Sequence, residues 1–92
     1  IHIAGANQLI KTIGFCTGAA QGFIEQAVVM GCDAYLSGEI SEPTVHTARE
    51  TGIHYFAAGH HATERYGVQA VGEFLAEKLG IEHIFVDIAN PV

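Results

Sequence analysis

Three times in 92 residues, an apolar run ends on a small residue and a glycine and then passes into a stretch of helical character. IGFC (13–16) meets Thr17-Gly18 and leads into GFIEQAVVM (22–30). DAYLS (33–37) meets Gly38 and leads into a helix that runs to Gly52. IHYFAA (53–58) meets Gly59 and opens a long segment that stops at Gly80. Strand–helix alternation of this kind is built from right-handed βαβ units whose strands lie parallel in one sheet. The expected fold class is therefore α/β: a mainly parallel sheet of about four strands with helices packed on it, residues 1–92 forming a single domain.

Local signals fill in this frame. Phe23, Ile24, Ala27 and Val28 share one face of the first helical stretch, and Gly31 is well placed to end it. Ser41 reads as the N-cap of the second helix, with Glu42 and Pro43 in its first turn. Val68, Val71, Phe74, Leu75 and Leu79 form one stripe on the third. HIFVDI (83–88) reads as a last strand before Asn90-Pro91. Nearly continuous apolar strands suit a sheet buried on both faces. Residues 1–12 carry less pattern and fit an edge strand or a segment left over from a preceding domain. The chain opens on Ile1 and not methionine, as expected of a processed product or a piece of something longer.

Charge narrows the function classes. Lys11, Arg49, Arg65 and Lys78 are the only four Lys or Arg residues, and the net charge is −6. No basic stripe can be assembled from so few cations, which argues against a broad nucleic-acid or anionic-membrane surface. No apolar run approaches the ~20 residues that span a bilayer. Cys16 and Cys32 lack CxxC spacing and sit in apolar surroundings, so reduced packing thiols of a cytoplasmic protein are expected.

In an open parallel sheet, ligands bind just past the carboxyl ends of the strands. The three glycine junctions lie along that edge, so the topology brings Glu39, His60, His61 and Glu64 near one another. His60 and Glu64 are four apart and share a helix face, with Cβ atoms about 5–6 Å apart, close enough to share an ion. His61 is turned away by about 100°. The helix N-terminus disfavours imidazolium and keeps His60 neutral, as a metal ligand has to be, but it also repels a cation. Zinc takes three or four protein ligands, so two are too few. Glu39 and His46 are candidate additions from the neighbouring junction and helix. A helix-start role remains open beside the metal role: His60 as cap, Glu64 complementing the dipole. The turn CTGAAQG (16–22) suggests a phosphate cradle, or else tight strand–helix packing at Gly18 and Gly22. His2, His54 and His83 fall at or near strand starts, on the opposite edge, and read as surface or packing groups.

The stretches CTGAAQGFI, DAYLSGEISEPTVHTARE, FAAGHHATERYGVQAV and FVDIANPV together resemble the C-terminal portion of the GTP cyclohydrolase 1 type 2 homologs, the Nif-three-like dinuclear-metal proteins. The likeness runs from residue 13 to the end. It implies that this chain is the C-terminal lobe of a longer two-lobed α/β protein that self-associates as a homohexamer. It also implies two divalent metal ions (Zn, Fe, Mn or Mg) in a cleft between the lobes. The family's H-x-x-x-E element falls on His60 and Glu64, and the remaining ligands belong to the upstream lobe. Glu39 or His46 would then act behind the ligands or in proton transfer, as catalytic groups. The implied function is a metal-dependent hydrolase acting on a phosphorylated or nucleotide-like small molecule. The alternative is a non-enzymatic metal-binding, regulatory or assembly module.

Overall fold

The computed structural model describes residues 1–6 and 9–92. Four strands occur in it: His2–Ile3 (β1), Ile13–Cys16 (β2), Ala34–Ser37 (β3) and His54–Ala57 (β4). Three α-helices accompany them: Ile24–Val29 (α1, entered through a 3-10 turn at Gln21–Phe23), Glu42–Thr51 (α2) and His60–Leu79 (α3). The sheet order is β1-β4-β3-β2. Strands β2, β3 and β4 run parallel, and β1 pairs antiparallel with β4. The mainly parallel α/β fold read from the sequence is the fold observed.

Both βαβ units step in the same direction, β2 to β3 to β4, so right-handed crossovers put α1 and α2 on one face of the sheet. Register identifies that face, because Gly14, Tyr35, Tyr55 and Ile3 form one row across the four strands. A Cβ at Gly14 would lie 3.6 Å from the Cβ of Ala27 on α1. The core beneath the helices consists of Ile24, Ala27, Tyr35, Ala48, Ile53 and Tyr55. Each large side chain there contributes about 1.5–3 kcal/mol by leaving water, and Ala48 lets α2 lie close to the sheet. Helix α2 begins after the extended Ser41, whose Oγ lies 2.9 Å from Thr44 Oγ1. It ends at Gly52, where φ is +73° and the N–H donates to Ala48 O. Asp33 Oδ2 accepts from the Lys11 and Thr12 N–H groups at 3.0 and 2.9 Å, which anchors the entry to β2 beside β3.

Three expectations are corrected. The first concerns burial of the sheet, which among the described residues is covered on one face only. The row facing away from α1 and α2 contains Phe15, Leu36, Phe56 and His2, and Phe15 is 74% exposed. The second concerns α3, which buries no residue. Its stripe of Val68, Val71, Phe74, Leu75 and Leu79 is exposed instead of packed on the sheet. A 20-residue helix is about 30 Å long, whereas a four-residue strand spans about 13 Å. Only the start of α3 meets the sheet, and the molecule measures 50 × 26 × 20 Å.

The third correction concerns residues 83–88, which form no strand. After Gly80 (φ +65°) the chain folds back along α3 and pairs with no strand. The His83 ring lies against Gly72, Asp87 Oδ2 accepts from Arg65 Nη2 at 2.7 Å, and His61 N–H donates to Val92 O. The fourth strand is β1, from the weakly patterned start of the chain. Among the described residues, no helix is long and apolar enough to cross a membrane.

Candidate metal centre

Hydrogen bonds lace the three strand-end turns together. Gly38 N–H donates to Gly18 O and Gly59 N–H to Gly38 O, both at 2.9 Å, while Ala58 N–H donates to Ser37 O at 2.8 Å. Gly18 N–H donates to Thr63 Oγ1 in the first turn of α3 at 3.2 Å. Two of these glycines are required by their surroundings. Gly18 has φ +71°, which an L side chain rarely adopts, and a Cβ on Gly38 would sit 2.9 Å from His60 Cα. His60 is therefore pressed against the rim as the first residue of α3.

Its ring joins two carboxylates. His60 Nδ1 lies 2.5 Å from Glu39 Oε1, and Nε2 lies 3.2 Å from Glu64 Oε2. Glu39 comes from the turn after β3 and Glu64 from one helical turn along α3, so the rim and the i,i+4 spacing act together. The Glu39 hydrogen bond holds the His60 pKa above the ordinary imidazole value, with Glu64 adding to it and burial opposing. The direction is opposite to the one expected from the helix end, because both carboxylates favour the protonated ring. The same negative charge favours any cation at Nε2, whether proton or metal, and offsets the repulsion expected from the helix terminus.

The donor set fits a divalent ion. Two ligand atoms at bond lengths of about 2.0–2.2 Å on one ion lie roughly 3.0–3.5 Å apart, and the Nε2–Oε2 separation of 3.2 Å falls in that range. A metal-binding histidine usually gives its other nitrogen to a carboxylate or carbonyl, the relation Glu39 has to Nδ1. Imidazole with carboxylate suits zinc, iron or manganese, and magnesium prefers oxygen alone. Among the described residues, no group of three or more His, Cys, Asp or Glu side chains is arranged to hold an ion.

The other candidates are placed differently. His46 on α2 is 62% exposed and faces Glu42 at 3.8 Å, so it is not brought to His60. His61 turns away, as its helical angle requires, to within 3.9 Å of Asp87. In CTGAAQG, Gly18 has a close-packing role against Glu64 and His60, whereas a Cβ on Gly22 would meet nothing within 4 Å. Cys16 and Cys32 are free and partly buried. His2 stacks on Phe56 with ring centroids 4.4 Å apart, at the exposed face near β1.

Two residues at the site were not singled out from the sequence. Ser37 and Tyr55 are both 0% exposed. Tyr55 O–H donates to Glu39 O at 2.6 Å, and Ser37 Oγ, 2.9 Å from the same carbonyl, donates its proton to the Tyr55 hydroxyl. The available signal was a hydroxyl on each of two neighbouring apolar strands at positions facing the helices.

The sequence profile of the Duf34/NIF3 family (NGG1p interacting factor 3) matches residues 1–91. This chain belongs to the Duf34/NIF3 family. A Pseudomonas aeruginosa relative named GTP cyclohydrolase 1 type 2 homolog is 60% identical over 89 residues, 97% of this chain and 35% of its own length. A Vibrio cholerae relative of the same name is 58% identical over 94 residues, 100% of this chain and 37% of its own length. The solved structure of protein ybgI, described as of unknown function, superposes with a TM-score of 0.94 at 44% identity. That likeness covers 100% of this chain and 38% of the ybgI chain. The chain thus spans about a third of the length of these relatives, and its fold is that of the part of ybgI it superposes on.

Proposed function

We propose that His60 and Glu64 are two ligands of a divalent-metal centre, and that the whole protein is a dinuclear-metal-dependent hydrolase. Its substrate would be a phosphorylated or nucleotide-like small molecule in the cytoplasm. The observation that carries this reading is the pairing of His60 Nε2 with Glu64 Oε2 at 3.2 Å on the sheet rim, with Nδ1 already engaged by Glu39. The remaining ligands would come from parts of the longer protein outside these 92 residues.

When bound, such ions supply Lewis acidity toward a phosphoryl or carbonyl oxygen and lower the pKa of water. This chain's own contribution is to fix two donors in a rigid frame. Gly18 and Gly38 allow the turns to close on His60, Thr63 ties α3 to the β2 turn, and Glu39 orients the imidazole. Glu39 is engaged with His60, which supports an orienting role over proton transfer to substrate. His46 is not carried into this reading, because its contact is Glu42 on the surface of α2.

Substituting His60 and Glu64 together by alanine in the full-length protein should abolish most of its bound metal. An unchanged stoichiometry would end the reading. A screen of phosphoesters and nucleotides with the metal-loaded protein tests the hydrolase half, and robust turnover that the double variant loses is the expected result.

A second reading, a metal-binding assembly module without turnover, is favoured by the exposed apolar stripe of α3. Val68, Val71, Phe74 and Leu79 are each more than half exposed, as are Ile84, Val86 and Ile88 in the returning tail. A surface of this kind suits packing against the rest of the protein or self-association, a homohexamer in the intact form. Retained metal with no turnover across the screen would select this second reading.

A further inference from the structure

We propose that Ser37 and Tyr55 are positioning residues of the metal centre: their buried hydroxyls grip the Glu39 carbonyl, so that Glu39 holds the His60 ring with Nε2 turned toward the ion. The inference rests on the reading of His60 and Glu64 as metal ligands. It extends that reading two layers inward, to groups that touch neither ion nor substrate.

A buried hydroxyl needs a hydrogen-bond partner, and these two meet each other and a carbonyl beyond the strands that carry them. Both reach past the end of β3 to the carbonyl of Glu39. Each hydroxyl has one proton, so Ser37 donates to Tyr55 and Tyr55 donates to the carbonyl, a two-link chain that ends on Glu39 O. One residue earlier in the turn, Gly38 N–H donates to Gly18 O at 2.9 Å. The turn that presents Glu39 is therefore pinned from β2 through Gly38 and from β3 and β4 through the two hydroxyls. With its backbone fixed, Glu39 can place Oε1 2.5 Å from His60 Nδ1. A carboxylate at Nδ1 selects the tautomer with the proton there and leaves the Nε2 lone pair on the Glu64 side. Packing alone does not call for this arrangement. On the opposite face of the same strands, the directly paired Leu36 and Phe56 pack without a hydroxyl.

The test is a double-mutant cycle read as zinc affinity, by titration of metal-stripped full-length protein. Tyr55→Phe keeps the ring and removes the hydroxyl. It should weaken zinc binding about tenfold, the lower end of the range for groups behind metal ligands. Glu39→Ala should weaken it by about 10–100-fold. In the Glu39→Ala background, adding Tyr55→Phe should change the affinity less than twofold, because the tyrosine acts through the glutamate. Ile53→Val, a core truncation just before β4, should lower stability and leave zinc affinity as in the wild type. Should Tyr55→Phe fail to fold, Ser37→Ala carries the same expectations.

Unchanged zinc affinity in the folded Tyr55→Phe protein overturns the proposal. So does an equal loss from Tyr55→Phe in the wild-type and Glu39→Ala backgrounds, or an equal loss from Ile53→Val. A different result marks failure of the underlying reading: His60→Ala with Glu64→Ala binding zinc as well as the wild type overturns the metal site itself.

Discussion

Gly18→Ala separates the two roles this glycine plays, one in the backbone and one beside the ligands. At φ +71° the alanine is strained whatever space surrounds it, at a cost of about 1–2 kcal/mol. That corresponds to roughly 2–4 °C in Tm per kcal/mol for a protein of 150–250 residues. The new Cβ would also overlap Glu64 Oε1 and lie 3.2 Å from His60 Nε2. Glu64 ends a flexible side chain and can retreat by about 1 Å to restore ordinary contact near 3.4 Å, so the overlap adds little to the loss of stability. It does move one of two donors off the ion. Metal affinity should then fall by more than the roughly 10–100-fold typical of changes behind the ligands. Gly31→Ala is the matched control. Its φ is +74°, and a Cβ there meets nothing within 4 Å, so it should reproduce the Tm loss and leave metal affinity intact. Differential scanning calorimetry and isothermal metal titration on the two full-length variants decide the matter. Equal metal affinity in Gly18→Ala and Gly31→Ala would refute the placement of Glu64 as a ligand beside this turn.

Other expectations follow from separate parts of the molecule. Burial pushes the Tyr35 hydroxyl up from 10.0 to about 12. Its contribution is intact below pH 10 and is lost as pH rises from there through about 12, because the unfolded chain ionises first. A rise from 10.0 to about 12 corresponds to roughly 2–3 kcal/mol. In urea unfolding, Tyr35→Phe should lose less stability across this range than the wild type, the remainder coming from Tyr55, which burial also pushes up. The Arg65–Asp87 pair is half exposed, so Asp87→Ala should cost at most about 1 kcal/mol. It should nevertheless release the tail from α3, with faster amide exchange over residues 83–92 and none in β3 and β4. The 92-residue chain on its own should self-associate through the stripe of α3. Val71→Lys with Phe74→Glu should lower its sedimentation coefficient toward that of a monomer, and an unaffected distribution would exclude the stripe.

The three strand–glycine–helix units were legible because each is written locally, in an apolar run, a small-residue turn and a stop at Gly31, Gly52 or Gly80. The meeting of Glu39 with His60 was legible too, since parallel topology alone carries strand ends to one rim. Two local patterns met no partner among the described residues. HIFVDI has the composition of a strand but no ladder partner here, and the stripe from Val68 to Leu79 has helical period but no sheet beneath it. Two residues sufficed for β1, too few to leave an alternating pattern. Periodicity also gives no weight to Ser37 and Tyr55, whose importance lies in which carbonyl their hydroxyls reach across the turn. His46 shows the opposite failure: a chemically apt residue on the right helix, but pointing to Glu42.

The central claim is that His60 and Glu64 close on one ion, and anomalous diffraction tests it most directly. Crystals of the full-length protein soaked in zinc and measured at the zinc absorption edge should show a peak about 2.0–2.2 Å from both His60 Nε2 and Glu64 Oε2. The Glu39 carboxylate should remain on Nδ1. Zinc peaks confined to other residues, with His60 still bonded directly to Glu64, would contradict the account.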